Sequence, residues 1–129
     1  MNRQLFALMR RRTFRQIKAA SPAGHHHNVY VVLLAPGVAR LREVRAANPK
    51  RNPKLPCVYV GMSGLAPEER FKNHKQGIKA AKVVRLYGVR LMPELYEVFN
   101  PMPFEAALQM ESELAEDLRA QGYTVAGGH

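Results

Sequence analysis

The chain has 129 residues, enough for one domain with a real hydrophobic core and too few for two ordinary ones. Hydrophobic residues make up 47% of it, yet no apolar run approaches a membrane span; the stretch from Val29 to Ala35 is too short and is broken by Tyr30. A single cysteine excludes an intramolecular disulfide and an all-cysteine zinc site, and a formal net charge of +10 points to a polyanionic partner, nucleic acid or an anionic membrane surface.

The charge is unevenly placed. Residues 1–90 hold 19 of the 20 Lys and Arg against only Glu43, Glu68 and Glu69, a net +16. Residues 91–129 hold seven acids against Arg119 alone, a net −6. That distribution describes a basic face beside an acidic helix, and a solvated basic surface without a partner is the less favoured reading.

In chain order, residues 1–27 form a basic arm with Arg3, Arg10, Arg11, Arg12, Arg15 and Lys18 and no acid. Leu5, Leu8, Met9 and Ile17 outline a short helix there, broken by Ser21-Pro22-Ala23-Gly24. An organellar transit peptide, a dispensable arm and a start codon set too far upstream all fit this composition. His25-His26-His27 reads as a solvated stretch ahead of a metal site, because three adjacent side chains on a strand cannot all face one ion.

A single domain is expected over 28–129. Asn28 to Leu34 is a Val-rich strand with Val29, Val31 and Leu33 on one face and Tyr30, Val32 and Leu34 on the other. Pro36-Gly37 ends it, Val38 to Ala47 reads as a short helix, and Asn48 to Pro56 as an exposed basic loop. Cys57 to Met62 is a second strand, which makes Cys57 a buried, inert thiol and fits a reducing cytoplasm. Pro67 then opens a helix with Glu68 and Glu69 in its first turn, running to about Gln76 with Gly77 as its stop. A basic helix over Lys79 to Leu86 and a third strand centred on Leu95 to Phe99 follow. The clearest helix is Phe104 to Gln121, ended by Gly122, with Tyr123 to Val125 as a last strand or an extended tail. The expected architecture is a small α/β (α+β) sandwich: a short, mostly antiparallel sheet of about three strands flanked by helices.

Three features carry chemistry. On the last helix Ala107, Met110, Leu114, Ala115 and Leu118 define one stripe, and Glu111 lies inside it while Glu105, Glu113, Glu116 and Asp117 face away. A carboxylate on a core face needs a cation, a donor or a metal, so a structural ion pair and a functional ligand stand level on geometry alone. Arg70 and His74, four apart, share a helix face and suit a phosphate. Tyr30 and Tyr59 sit on two neighbouring strands, where core packing is the ordinary use of tyrosine.

The order of these residues resembles the GIY-YIG nuclease superfamily. Asn28-Val29-Tyr30 stands where the family has a Gly-Ile-Tyr-like strand, and Val58-Tyr59-Val60-Gly61 where it has the Tyr-Ile-Gly-like strand. Arg70 follows on a helix with His74 one turn on, and Glu111 lies on a later helix. The resemblance covers about residues 28–126, and its most specific part is Val58 to His74. Two departures stand out: Ala35 to Pro56 is an insertion between the two tyrosine strands, and the chain has no Asn near its end where the family often has one.

The resemblance implies a metal-dependent endonuclease acting on nucleic acid, DNA ahead of RNA. It implies one Mg²⁺ or Mn²⁺ held by Glu111 with water and phosphate oxygens, and Tyr30 as general base or water-positioner with Tyr59 beside it. Arg70 would neutralise charge on the phosphate, and His74 would hydrogen-bond a tyrosine hydroxyl or accept its proton. The products would carry 5′-phosphate and 3′-hydroxyl ends. Arg51, Lys54, Lys72, Lys75, Lys79, Lys82 and Arg85 are expected to flank the site and follow a nucleic-acid backbone. The alternative on the same scaffold is a catalytically inactive nucleic-acid-binding module. A small-metabolite enzyme or partner-binding domain is the third reading, and it leaves the basic region without a role.

Overall fold

A computed structural model describes residue 15 and residues 24–128. Apart from residue 15, the expected helix within the basic arm lies outside the described residues.

The domain is α+β, built on one sheet in the order β3-β1-β2-β4. β1 (Asn28–Leu34) and β2 (Cys57–Ser63) form its antiparallel centre; β3 (Gly88–Leu91) pairs antiparallel with β1, and β4 (Thr124–Gly127) parallel with β2. Val29, Tyr30, Val31 and Val32 are all essentially buried. Successive strand residues point to opposite faces, so both faces of β1 are covered. The helices α2 (Pro67–Lys75) and α3 (Lys82–Tyr87) pack on β1 and β3, and α4 (Phe104–Ala120) packs on β1, β2 and β4. Ala107, Met110, Leu114, Ala115 and Leu118 of α4 are all buried, as the stripe required. Among the described residues no helix is long and apolar enough to cross a membrane.

The sheet has one strand more than expected, and the third strand lies elsewhere. Leu95 to Phe99 belongs to two 3-10 turns, Pro93–Leu95 and Glu97–Phe99, with Leu95, Tyr96 and Phe99 buried. Burial at i, i+1 and i+4 is a helical spacing, and Pro93 removes a donor that a ladder would need. The actual strand, Gly88-Val89-Arg90-Leu91, is a short edge with Val89 and Arg90 exposed, so it lacks the apolar signature of the centre. The stretch 36–47 also divides: a 3-10 turn at Pro36–Arg40 and α1 (Arg42–Ala47) are separated by an extended Leu41. α3 starts at Lys82 rather than Lys79, whose φ of 46° does not fit a right-handed helix.

Two asparagines act as one-residue strand neighbours. Asn100 accepts from the Val29 N–H at 2.8 Å and donates to its carbonyl at 2.7 Å, covering the part of β1 that β3 does not reach. Asn48, only 2% exposed, accepts from the Val125 N–H and donates to the Val125 carbonyl, each at 2.9 Å, and also donates to the Val44 carbonyl at 2.7 Å. With the Asn52 N–H donating to the Gly122 carbonyl at 2.6 Å, the 35–56 insertion is fastened to β4 and the end of α4. Asn48→Ala strips the buried Val125 N–H of its acceptor, and an orphaned donor costs about 1–3 kcal/mol. The expected result is a lower urea midpoint with an unchanged slope, a loss of about 2 kcal/mol; an unchanged midpoint would mean that Asn48 merely accompanies this edge.

Candidate active site

The register sets Tyr30 opposite Gly61 and Val32 opposite Tyr59, which makes the two tyrosines diagonal neighbours on one face of the hairpin. Gly61 is required by their rings: a Cβ there would stand 2.6 Å from Tyr30 Cζ and Oη and 2.9 Å from Tyr59 Cε1. Gly127, beside Val60 on β4, clears the other side of Tyr59: its Cβ would lie 2.7 Å from Tyr59 Cε2, and its φ of +76° favours glycine regardless. The Tyr59 ring therefore occupies a slot between two glycines.

His74 of α2 closes a triangle of rings. Its centroid is 6.0 Å from that of Tyr30 and 5.8 Å from that of Tyr59, and the tyrosine centroids are 6.2 Å apart. Its Nδ1 accepts from the Ala81 N–H at 3.0 Å, which fixes the neutral tautomer with the proton on Nε2. Nε2–H then donates to Tyr30 Oη at 2.8 Å. Burial, aided by the Arg70 charge, lowers the His74 pKa to about 4, so the ring is neutral at pH 7. With Nδ1 occupied and Nε2 protonated, His74 is a donor to Tyr30 and not the acceptor of its proton. That resolves the two roles left open by the sequence.

Tyr30 is 1% exposed and Tyr59 is half-buried, so Tyr59 is the more exposed of the two tyrosines. Both phenol pKa values are raised, chiefly by burial; Glu111 raises both further, while Arg70 lowers both. Glu111 and Arg70 thus both lie within electrostatic reach of the two tyrosines, and Arg70 also within reach of His74. Arg70 is aimed by the turn after α2, donating to the Ile78 carbonyl at 3.2 Å and the Lys79 carbonyl at 2.9 Å. Glu111 is half-buried, and burial pushes its pKa up to about 7. Among the described residues no ion pair to Glu111 is found. No group of three or more His, Cys, Asp or Glu is gathered for a metal among the described residues. A lone partly buried carboxylate fits a hard divalent ion that keeps most of its waters and does not fit a zinc-type cage.

The basic residues divide into three groups. Lys79, Lys82 and Arg85 are exposed along the turn and α3 that follow Arg70. Lys72 is exposed about 200° around α2 from Arg70, and Lys75 donates to the Arg85 and Gly88 carbonyls at 3.0 and 2.9 Å, capping α3. Arg51 and Lys54 do not flank the tyrosines: they stand near Leu34 and Cys57, at the other end of the β1–β2 pair. Leu34 is four steps along β1 from Tyr30, about 13 Å at strand rise.

Sequence reasoning missed the Ala81 N–H, a backbone group without a side-chain signature, and the role of Gly127. The adjacent Gly127-Gly128, both at positive φ, is the signal that marks a close approach there. His27 pairs through its backbone with Met102, and its ring lies 5.1 Å from that of Phe104.

Comparison of the chain with family models, with curated proteins and with solved structures gives no match.

Proposed function

We propose that the chain is a GIY-YIG-type endonuclease that hydrolyses phosphodiester bonds of nucleic acid, DNA ahead of RNA, with Mg²⁺ or Mn²⁺. The observation that supports it best is the half-buried Glu111, without a cation partner among the described residues, within electrostatic reach of Tyr30 and Tyr59, which Arg70 and His74 also reach. Such a carboxylate would hold the divalent ion, which supplies charge stabilisation at the scissile phosphate.

The chain's own residues supply the rest. Arg70 keeps N–H donors beyond its two carbonyl bonds and turns them on the phosphate, where charge grows in the transition state. Tyr59, the more exposed of the two tyrosines, orients the attacking water. Tyr30 is held by the His74 Nε2–H, a bond that steers the Tyr30 proton away from the ring of His74. Of the two tyrosines it is Tyr59 that takes the water in this reading, whereas the sequence expectation made Tyr30 the general base or water-positioner with Tyr59 beside it. The exposed Lys79, Lys82 and Arg85 extend a positive surface from Arg70 along the strand.

The test is nicking of supercoiled plasmid and of branched and single-stranded oligonucleotides. Cleavage is expected with Mg²⁺ or Mn²⁺ and none with chelator, leaving 5′-phosphate ends. In the same assay Tyr59→Phe is expected to lose more activity than Tyr30→Phe. Binding without metal should weaken with salt, by a slope of about −0.9 per phosphate neutralised on duplex DNA. Salt-sensitive binding with no cleavage of any substrate would leave the inactive binding module as the better reading, which the lack of a C-terminal Asn favours.

A further inference from the structure

A cleft lies away from the tyrosines. It has a volume of about 750 Å³ and opens between the end of the β1–β2 pair and the 35–56 insertion. Its walls are apolar, with Leu33, Ala39, Leu55 and the 55%-exposed Val89 among them. Arg40, Arg45, Arg51 and Lys54 also line it, and no carboxylate does. A second hollow of about 570 Å³ adjoins it, lined by Arg40, Arg42, Arg45, Arg51 and Ala46. Three arginines are shared between the two, so they form one feature: an apolar chamber with a mouth of like charges.

Four guanidiniums set together without an acid repel one another, and an anion at the mouth relieves that repulsion. The chamber behind asks for a flat or apolar body attached to that anion. Its size lies within the range of small-ligand pockets. A nucleotide joins the two requirements in one unit. We propose that this cleft takes one unpaired nucleotide of the bound nucleic-acid strand, its phosphate on Arg40, Arg45 and Arg51 and its base against Leu33, Ala39 and Leu55.

The proposal rests on the nucleic-acid reading above and gives it a substrate class. A base can enter the chamber only when it is out of the duplex, so the preferred substrate carries a single-stranded segment, a flap or an overhang. At strand rise Tyr30 lies about 13 Å along β1 from Leu34 at the cleft. Other occupants fit less well. Residues 1–23 carry six bases and no acid and are repelled by the mouth. The acidic face of α4 from a second copy is already partly engaged, because Glu113 and Asp117 have partners within the chain.

The cleft itself is braced for the purpose. Asn48 fixes the end of α1 to β4, and Arg51 Nη1 lies 3.5 Å from the Asn48 carbonyl, which holds its guanidinium at the mouth.

The experiment measures affinity of the full chain for a fluorescent single strand, for the blunt duplex of the same sequence, and for that duplex with an overhang, in EDTA. Ala39→Trp fills the chamber from its wall, and Val89→Glu sets an acid at its exposed edge. Each is expected to weaken single-strand and overhang binding about tenfold and to leave the blunt duplex within about twofold. Arg45→Ala with Arg51→Ala is expected to weaken single-strand binding at least tenfold and to flatten its salt slope by about 1.4, two contacts at about 0.7 each. Val89 is exposed, so Val89→Glu keeps the test valid if Ala39→Trp folds poorly, which thermal melting reports. Unchanged single-strand affinity in Val89→Glu and in the double arginine variant, with the wild type binding, overturns the cleft assignment and leaves the nuclease reading standing. A wild type that binds no oligonucleotide overturns both. A wild-type dimer that Val89→Glu dissociates would assign the cleft to a second copy instead.

Discussion

Glu111→Gln is expected to cost at least about 10²–10³ in cleavage rate while leaving nucleic-acid binding in EDTA nearly intact. The amide keeps the size and one acceptor oxygen but loses the charge that a hard cation needs. Binding is expected to survive, because under the proposed function Lys and Arg would carry it. The control is Ser112→Ala, adjacent on α4 and exposed, which should cleave like the wild type.

The same substitution has an opposite effect on stability. The Glu111 carboxyl has a folded pKa of about 7 against an ordinary 4.5, because burial disfavours its charged form. A raised folded pKa means stability that is full below the unfolded value and lost as pH rises through the folded one. Wild type and Glu111→Gln should therefore melt alike near pH 4, and the variant should melt higher at pH 8 in EDTA. The group is half exposed, so solvent screening holds the difference to about 1 kcal/mol, a few degrees in Tm. A variant that is less active and also less stable at pH 8 would mean that Glu111 has a favourable partner and is no free ligand.

The second large effect is expected at Gly61→Ala. The added methyl would overlap both phenol rings, with Tyr30 Cζ and Oη at 2.6 Å. Tyr30 cannot swing aside without breaking the bond to His74, and Tyr59 meets Gly127 on its far side. Overpacking of this kind costs about 1–3 kcal/mol. Activity should fall further than stability, by about 10² or more, because both rings must leave their places for the methyl to fit. A circular dichroism melt beside the nicking assay separates the two. Near wild-type cleavage in a folded Gly61→Ala would show that the ring arrangement is not needed for the reaction.

The parts of the site that local periodicity controls were legible in the chain. Arg70 and His74 share a helix face by their spacing of four, Tyr30 and Tyr59 share a sheet face by strand parity, and Glu111 interrupts an apolar stripe that is otherwise buried. What failed depended on long-range packing. β3 is a short, exposed edge of four residues with a glycine and an arginine, so it lacks a strand's apolar run; Leu95 to Phe99 is apolar because it is buried, so it imitates a strand. Arg51 and Lys54 belong to the insertion, and nothing in their composition says toward which end of the hairpin that insertion folds. Asn48 looked like the start of an exposed loop, and only the pairing with Val125, 77 residues away, reveals it as a buried bracket.

That pairing has a consequence for how the molecule is made. Until residues 124–127 have left the ribosome, β2 has no neighbour on its outer side, and its ladder groups from Cys57 to Val60 stand open beside an apolar strand. Neither the parallel partner nor the Asn48 bracket is available to a nascent chain stopped short of them. Truncated products and stalled intermediates should therefore expose a ready template for strand addition, and a holdase chaperone or slow synthesis at low temperature should raise the yield of folded protein more than added salt or reductant does.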